Sequence, residues 1–199
     1  KTAIAVDLSG RNINEAVKNG WKIRAFLCKE GKLSQWAEEL IATIKTKENY
    51  CFSKELMEEL SGKEDVSELM AIVERKDISL DEVKTSEKPF FVLFDRPSNK
   101  GNLGSIIRSC DALGVDGLIM TGHGVDLYDP EVIAASMGSF FSLSVVRVEE
   151  FKELQAWIGT MKERYGNFHM YGSTAHQQKP IYDLDFNCPI LLFIGNETK

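Results

Sequence analysis

The residues best suited to chemistry by type and spacing form two glycine clusters, each placed after an apolar run. The first spells Asn99-x-Gly101-Asn102-x-Gly104-x-x-x-Arg108 and follows Phe90-Phe91-Val92-Leu93-Phe94. The second, Gly195-Asn196-Glu197, follows Ile190-Leu191-Leu192-Phe193-Ile194. A glycine-rich loop after a strand invites comparison with the phosphate-binding loops. A P-loop needs G-x-x-x-x-G-K-[ST], which Gly101, Gly104 and Ser105 do not satisfy. A dinucleotide fingerprint needs G-x-G-x-x-G and an acidic residue after the second strand; here Met120 is followed by Thr121-Gly122-His123. A tight strand-to-helix turn with a polar surface stays open as the plain alternative.

The elements that must position these residues are legible around them. Residues 90–94 read as a strand, Asn99 to Gly104 as a polar loop, the segment carrying Arg108 as a helix, and Leu118-Ile119-Met120 as a second strand. Such a unit puts its loop at the carboxyl edge of a parallel sheet, where open α/β folds bind ligands. Asp129 followed by Pro130 predicts a helix start, because proline has no N–H to leave unpaired in the first turn. A strand is expected over 141–148 and a helix over 149–165, with Phe151, Leu154, Trp157, Ile158 and Met161 on one stripe. Residues 168–172 predict a further strand, and the unbroken apolar run 188–194 a strand buried on both faces. Strands alternating with helices imply a mostly parallel sheet.

Residues 1–78 read as a small α/β module of their own. A short helix at 14–20 closed by Gly20, a strand at 21–27, a helix at 33–46, a helix from the N-cap Ser53 to Gly62, and a strand at 69–74 are expected. Lys22, Arg24, Lys54 and Lys63 are charges of a solvated surface or, less simply, a phosphate-contacting face. The charged segment 79–88 predicts a linker, leaving 89–199 as the second domain.

Composition narrows the function classes. A net charge of −6 over 199 residues argues against a uniformly basic nucleic-acid wrapper but leaves room for a local Arg/Lys patch. Cys28, Cys51, Cys110 and Cys188 form no C-x-x-C pair, and reduced thiols are expected. His123, His169 and His176 lack metal-site spacing, so no metal is expected. No apolar run approaches the ~20 residues of a membrane span, and the opening KTAIAVDLSG holds no signal-peptide core. A cytoplasmic protein is the resulting expectation.

Taken together, N-x-G-N-x-G-x-x-x-R and the later G-x-E after a strand resemble the SpoU (TrmH) family of RNA ribose methyltransferases. The resemblance covers residues 90–199 and, more loosely, the front module, which is similar to that family's ribosomal-protein-like substrate-binding domain. It implies a knotted, trefoil SPOUT domain of mostly parallel sheet, S-adenosylmethionine as cofactor, a homodimer, and RNA, ribosomal or transfer, as substrate. By the family pattern Arg108, Asn102 and Glu197 are catalytic. Ser173, Thr174, Ile194, Gly195 and Asn196 border the cofactor, and Asn99, Gly101 and Gly104 face the RNA. The family's third motif, a proline turn and serine-leucine-asparagine helix start, is absent from the 199 residues, so a longer natural protein is expected.

Methyl transfer from a sulfonium to a 2′-hydroxyl is an in-line displacement that needs no metal. Positioning alone contributes up to about 7–11 kcal/mol in favourable cases. The family assigns activation of the hydroxyl to the arginine, yet a guanidinium is effectively always protonated. The expected role of Arg108 is therefore to engage phosphate and offset charge on the developing alkoxide. The rival from another class is an RNA-binding or assembly protein that kept the fold without catalysis.

Overall fold

The computed structural model describes residues 3–6, 10–61, 67–174 and 180–195. The chain divides into two units, Lys1–Lys76 and Asp77–Lys199.

The first unit runs β1 (Ala3–Val6), α1 (Gly10–Lys18), β2 (Ile23–Lys29), α2 (Gln35–Thr43), β3 (Glu48–Phe52), α3 (Lys54–Ser61) and β4 (Leu69–Glu74). Its sheet has the order β1-β4-β2-β3, with β4 antiparallel to both neighbours and β2 parallel to β3. Helix α1 starts four residues before the predicted helix and ends where Trp21 N–H donates to Ala16 C=O at 2.9 Å. Ser53 caps α3 as expected, its Oγ accepting from Leu56 N–H at 3.4 Å. Helix α2 is shorter than 33–46: Ser34 supplies its cap and Ile44 is already extended. On one face of the sheet Leu27, Met57 and Met70 are buried together under α3.

The second unit contains β5 (Phe90–Asp95), α4 (Lys100–Ala112), β6 (Gly117–Thr121), α5 (Pro130–Ala135), β7 (Val145–Val148), α6 (Phe151–Tyr165), β8 (His169–Gly172) and β9 (Ile190–Ile194). All five strands are parallel, in the order β7-β6-β5-β9-β8. The segment expected as a linker is built into this unit. Leu80 and Val83 are buried in its core, behind a 3₁₀ turn whose Glu82 side chain accepts from Ser79 N–H at 2.7 Å.

Two further expectations change. The strand predicted over 141–148 begins only at Val145; Phe140 and Phe141 lie in a 3₁₀ turn, where the Phe140 ring meets those of Phe141 and Tyr128 edge to face. Along α6, Leu154, Trp157 and Met161 are buried, Trp157 edge-on to Phe91 at 4.8 Å, whereas Phe151, the helix's first residue, is 68% exposed at the rim of a cleft. Strand β9 is interior to the sheet, bonded to β5 and β8, and its Ile190 and Leu191 are fully buried. Its last three residues are only half-buried, so the run expected to be covered on both faces opens towards its carboxyl end. Among the described residues, no helix is long and apolar enough to cross a membrane.

Candidate functional site

Five parallel strands present all their carboxyl ends at one edge of the sheet. From β5 the chain steps outward to β6 and β7, then α6 carries it to the far edge at β8, and β9 returns between β8 and β5. The reversal falls between β5 and β9, the position at which open α/β sheets form a ligand crevice. A cleft of about 560 Å³ lies there, within the size range of small-molecule sites. Its walls are apolar, from Leu93, Val148, Leu154 and Phe193. Asp95, Thr121, Glu149 and Ser173 bring polar groups to it from four strand ends.

Of the residues expected to border a cofactor, Ser173, Ile194 and Gly195 line this cleft. Thr174 follows Ser173 at the surface. Asn196 and the expected catalytic Glu197 lie outside the described residues.

Asp95 and Thr121 were not singled out from the sequence. They are partners in the β5–β6 register, and Thr121 Oγ1 donates to the Asp95 carboxylate at 2.9 Å. Arg96 pairs with the other Asp95 oxygen at 2.8 Å and sits at φ 45°, a left-handed backbone that costs a non-glycine residue energy. Gly122 lets the Arg96 side chain pass, since a Cβ there would lie 2.6 Å from Arg96 Cγ. Arg147 holds the next loop by donating to Gly122 C=O at 3.1 Å and to Val125 C=O at 2.5 Å. The rim is thus cross-braced by backbone and side chain.

The first glycine cluster is placed differently from expectation. Gly101, Asn102 and Gly104 belong to the first turns of α4, not to a loop. Asn99 is the N-cap, its Oδ1 accepting from Asn102 N–H at 2.9 Å, so its side chain is occupied in starting the helix. Gly104 is buried where α4 crosses α5: a Cβ would stand 2.5 Å from Ala135 Cβ and 2.8 Å from Val132 C=O. It therefore serves helix packing, and the expectation that it faces RNA is corrected. Gly101 is exposed.

Lys100 fastens the same helix start to α5 through Asp129 at 3.0 Å and Glu131 at 2.8 Å. Those hydrogen bonds, Glu131 first and then Asp129, hold the Lys100 ammonium above its ordinary pKa. Asp129 caps α5 as expected, accepting from Glu131 N–H at 2.9 Å. Partial burial pushes its carboxyl up, but the bonds from Lys100 and Glu131 outweigh this and hold it below the usual range.

Asn102 and Arg108 are both exposed on α4. At about 100° and 1.5 Å per residue they leave the helix roughly 120° apart and about 9 Å along its axis. Arg108 shares its face instead with Ser105 and Gly101, one and two turns earlier respectively. Among the described residues its guanidinium has no ion-pair or hydrogen-bond partner. The described residues contain no group of three or more His, Cys, Asp or Glu able to hold a metal.

Comparison with known proteins completes the picture. Residues 89–199 match the SpoU rRNA Methylase family and residues 3–71 the SpoU L30e-like domain. The chain is 42% identical over 190 residues to the 23S rRNA (uridine(2479)-2′-O)-methyltransferase of Streptomyces viridochromogenes, covering 94% of this chain and 66% of that protein. It is 32% identical over 114 residues to the putative TrmH family tRNA/rRNA methyltransferase YacO of Bacillus subtilis, covering 57% of this chain and 44% of the other. The chain thus spans two thirds or less of the length of these relatives. The crystal structure of the SpoU methyltransferase AviRb from S. viridochromogenes superposes with a TM-score of 0.89 at 40% identity, over 99% of this chain and 73% of that one. The same protein in complex with AdoMet gives 0.88 at 39% identity, over 99% and 74%.

Proposed function

This chain belongs to the SpoU rRNA methylase family, and from that premise we propose that it transfers a methyl group from S-adenosylmethionine to a ribose 2′-hydroxyl of structured RNA, ribosomal rather than transfer RNA. The observation that carries the reading is the cleft at the β5/β9 reversal, walled by apolar side chains and edged by Ser173, Ile194 and Gly195. Such a lining suits a flat adenine between apolar walls, with the ribose and the charged amino-acid end at polar strand ends. When bound, S-adenosylmethionine supplies an electrophilic methyl on a sulfonium.

The chain's own residues supply the rest. Leu93, Leu154 and Phe193 exclude water from the cleft, while the half-buried end of β9 offers backbone groups beyond the sheet ladder. Arg108, unpaired among the described residues, engages an RNA phosphate and offsets charge as the hydroxyl loses its proton. A guanidinium keeps its own proton, so the leaving proton goes to a different acceptor. Asn102 contributes an exposed amide to the RNA side, and Glu197 supports the same region by family pattern. The working form is a cytoplasmic homodimer with a trefoil-knotted second unit, the first unit gripping RNA.

Resemblance to the Streptomyces enzyme favours ribosomal RNA. Incubation of the protein with methyl-labelled donor and total RNA, followed by mapping of the modified nucleotide, tests the reading. Label on a 2′-oxygen of 23S RNA is expected. Retention of RNA without label overturns the catalytic reading in favour of a binding or assembly role, and label confined to transfer RNA overturns the choice of substrate.

A further inference from the structure

Cys28 and Cys51 are 23 positions apart in the sequence, yet the parallel pairing of β2 with β3 makes them direct partners in the sheet. Their sulfur atoms stand 2.7 Å apart. That separation lies between a covalent S–S bond of about 2.05 Å and the distance at which unbonded sulfurs rest. The two thiols differ in setting. Cys28 is 5% exposed, and its Sγ also donates to Tyr50 C=O at 3.2 Å. Burial first, and then the neighbouring Cys51 thiol, push Cys28 up to about 11. Cys51 is exposed on β3, the edge strand of the sheet. Cys110 and Cys188 are buried in the second unit, and burial pushes Cys110 up to about 12.

We propose that Cys28 and Cys51 are a reversible redox pair, a dithiol that closes to a disulfide by exchange with a small-molecule disulfide and reopens with a thiol reductant. Access fixes the order of events. Cys51 loses its proton to solvent and attacks one sulfur of the small disulfide; that S–S bond breaks, and the departing thiolate carries off the bonding pair and takes up a proton. The product is a mixed disulfide on Cys51. Cys28, already beside it, then gives up its proton as its sulfur attacks Cys51 Sγ, and the second small thiol leaves. Two protein thiols are oxidised, and one small disulfide is reduced to two thiols.

The sequential roles follow from the asymmetry. An exposed thiol meets the oxidant, and a buried one is shielded from it until the first has reacted. Closure ties edge strand β3 to β2 covalently and encloses α2 in the resulting loop, where the same strands are otherwise joined by the ladder from Ala25↔Glu48 to Lys29↔Phe52. The device belongs to the first unit and does not depend on the activity proposed for the second.

Oxidised glutathione is the probe. The reduced protein is incubated with it, quenched in acid, alkylated after unfolding and digested for mass spectrometry. The expected product is a Cys28–Cys51 linked peptide, two hydrogens lighter than the sum of its parts and restored by dithiothreitol, with Cys110 and Cys188 alkylated. Cys28→Ser is expected to stop at a glutathione adduct on Cys51. Cys51→Ser is expected to slow modification of Cys28 by about tenfold or more, as befits a buried thiol. A lasting adduct on Cys51 of the unaltered chain with Cys28 free overturns the proposal, as does linkage no faster than that of Cys110 or Cys188. Should Cys28→Ser fail to fold, the time course of the unaltered protein decides. The adduct on Cys51 must rise ahead of the linked peptide and fall as that peptide accumulates, and linkage without that rise overturns the order.

Discussion

The two units are both sheets with helices, yet among the described residues the second gathers a cleft of about 560 Å³ at its strand ends and the first a hollow of about 250 Å³. In the second, five parallel strands deliver Asp95, Thr121, Glu149, Ser173 and Gly195 to one edge. In the first, β4 runs against β1 and β2, so strand ends are divided between both edges of a four-stranded sheet. Strand direction, more than residue type, decides where groups distant in sequence converge. Individual cations differ as well. Lys22 is already paired with Glu74 at 2.9 Å and Lys54 with Glu58 at 3.3 Å, while Arg108 is unpaired among the described residues.

The sharpest test of that contrast is removal of the unpaired cation. Arg108→Ala is expected to lower the rate of methyl transfer by about 10²–10³-fold, the scale of losing one preorganised charge-stabilising donor, with melting temperature unchanged. Arg108→Lys keeps the charge without the planar fork and should fall between. A comparable loss from Lys22→Ala would break the distinction between the paired and the unpaired cation.

Next come the cores. Leu191→Ala and Met57→Ala each remove a fully buried side chain, one from each unit, and should cost about 2–5 kcal/mol. Denaturant unfolding followed by hydrogen exchange should find each loss largely within its own unit. Gly104→Ala adds a methyl where α5 backbone and Ala135 leave no room, and about 1–3 kcal/mol of destabilisation is expected in the second unit.

Smaller effects come from the helix starts. Asp129→Ala should cost about 1 kcal/mol through the lost α5 cap. Asp129 and Glu82 in the second unit and Glu55 in the first are all held below the ordinary carboxylate range. A depressed carboxyl contributes stability that is full above its unfolded pKa of about 4 and lost as pH falls through the lower folded value. Thermal melts should therefore decline on acidification below about pH 4, and Asp129→Asn should flatten part of that decline. Lys22→Ala, which breaks an exposed pair, should change stability by less than about 1 kcal/mol.

The alternation of strands and helices was legible because apolar runs and caps are local signals: Asp129-Pro130 and Ser53 mark helix starts in the structure as they do in the sequence. Edge strand β3 was not legible, because Glu48 to Cys51 are exposed and show no alternation of burial. Gly101 and Gly104 suggested a loop, since glycine is a poor helix former; the close crossing with α5 that requires Gly104 is a tertiary fact. Ser173, Ile194 and Gly195 reached the cleft from a resemblance of motifs. Asp95 meets Thr121 only through strand register, 26 residues apart, and Cys28 meets Cys51 in the same manner.

The place of β9 also bears on how the cleft is made in time. Phe90 pairs with Ile190, so this interior strand joins β5, synthesised about a hundred residues earlier. Such distant pairing carries a large loop-closure entropy and slows folding. Until β9 arrives, β5 has one bare edge, β8 has no neighbour in the sheet, and the crevice lacks a wall. Appearance of the cleft thus reports completion of this sheet, and a ligand that binds there would draw the late strand into place by mass action.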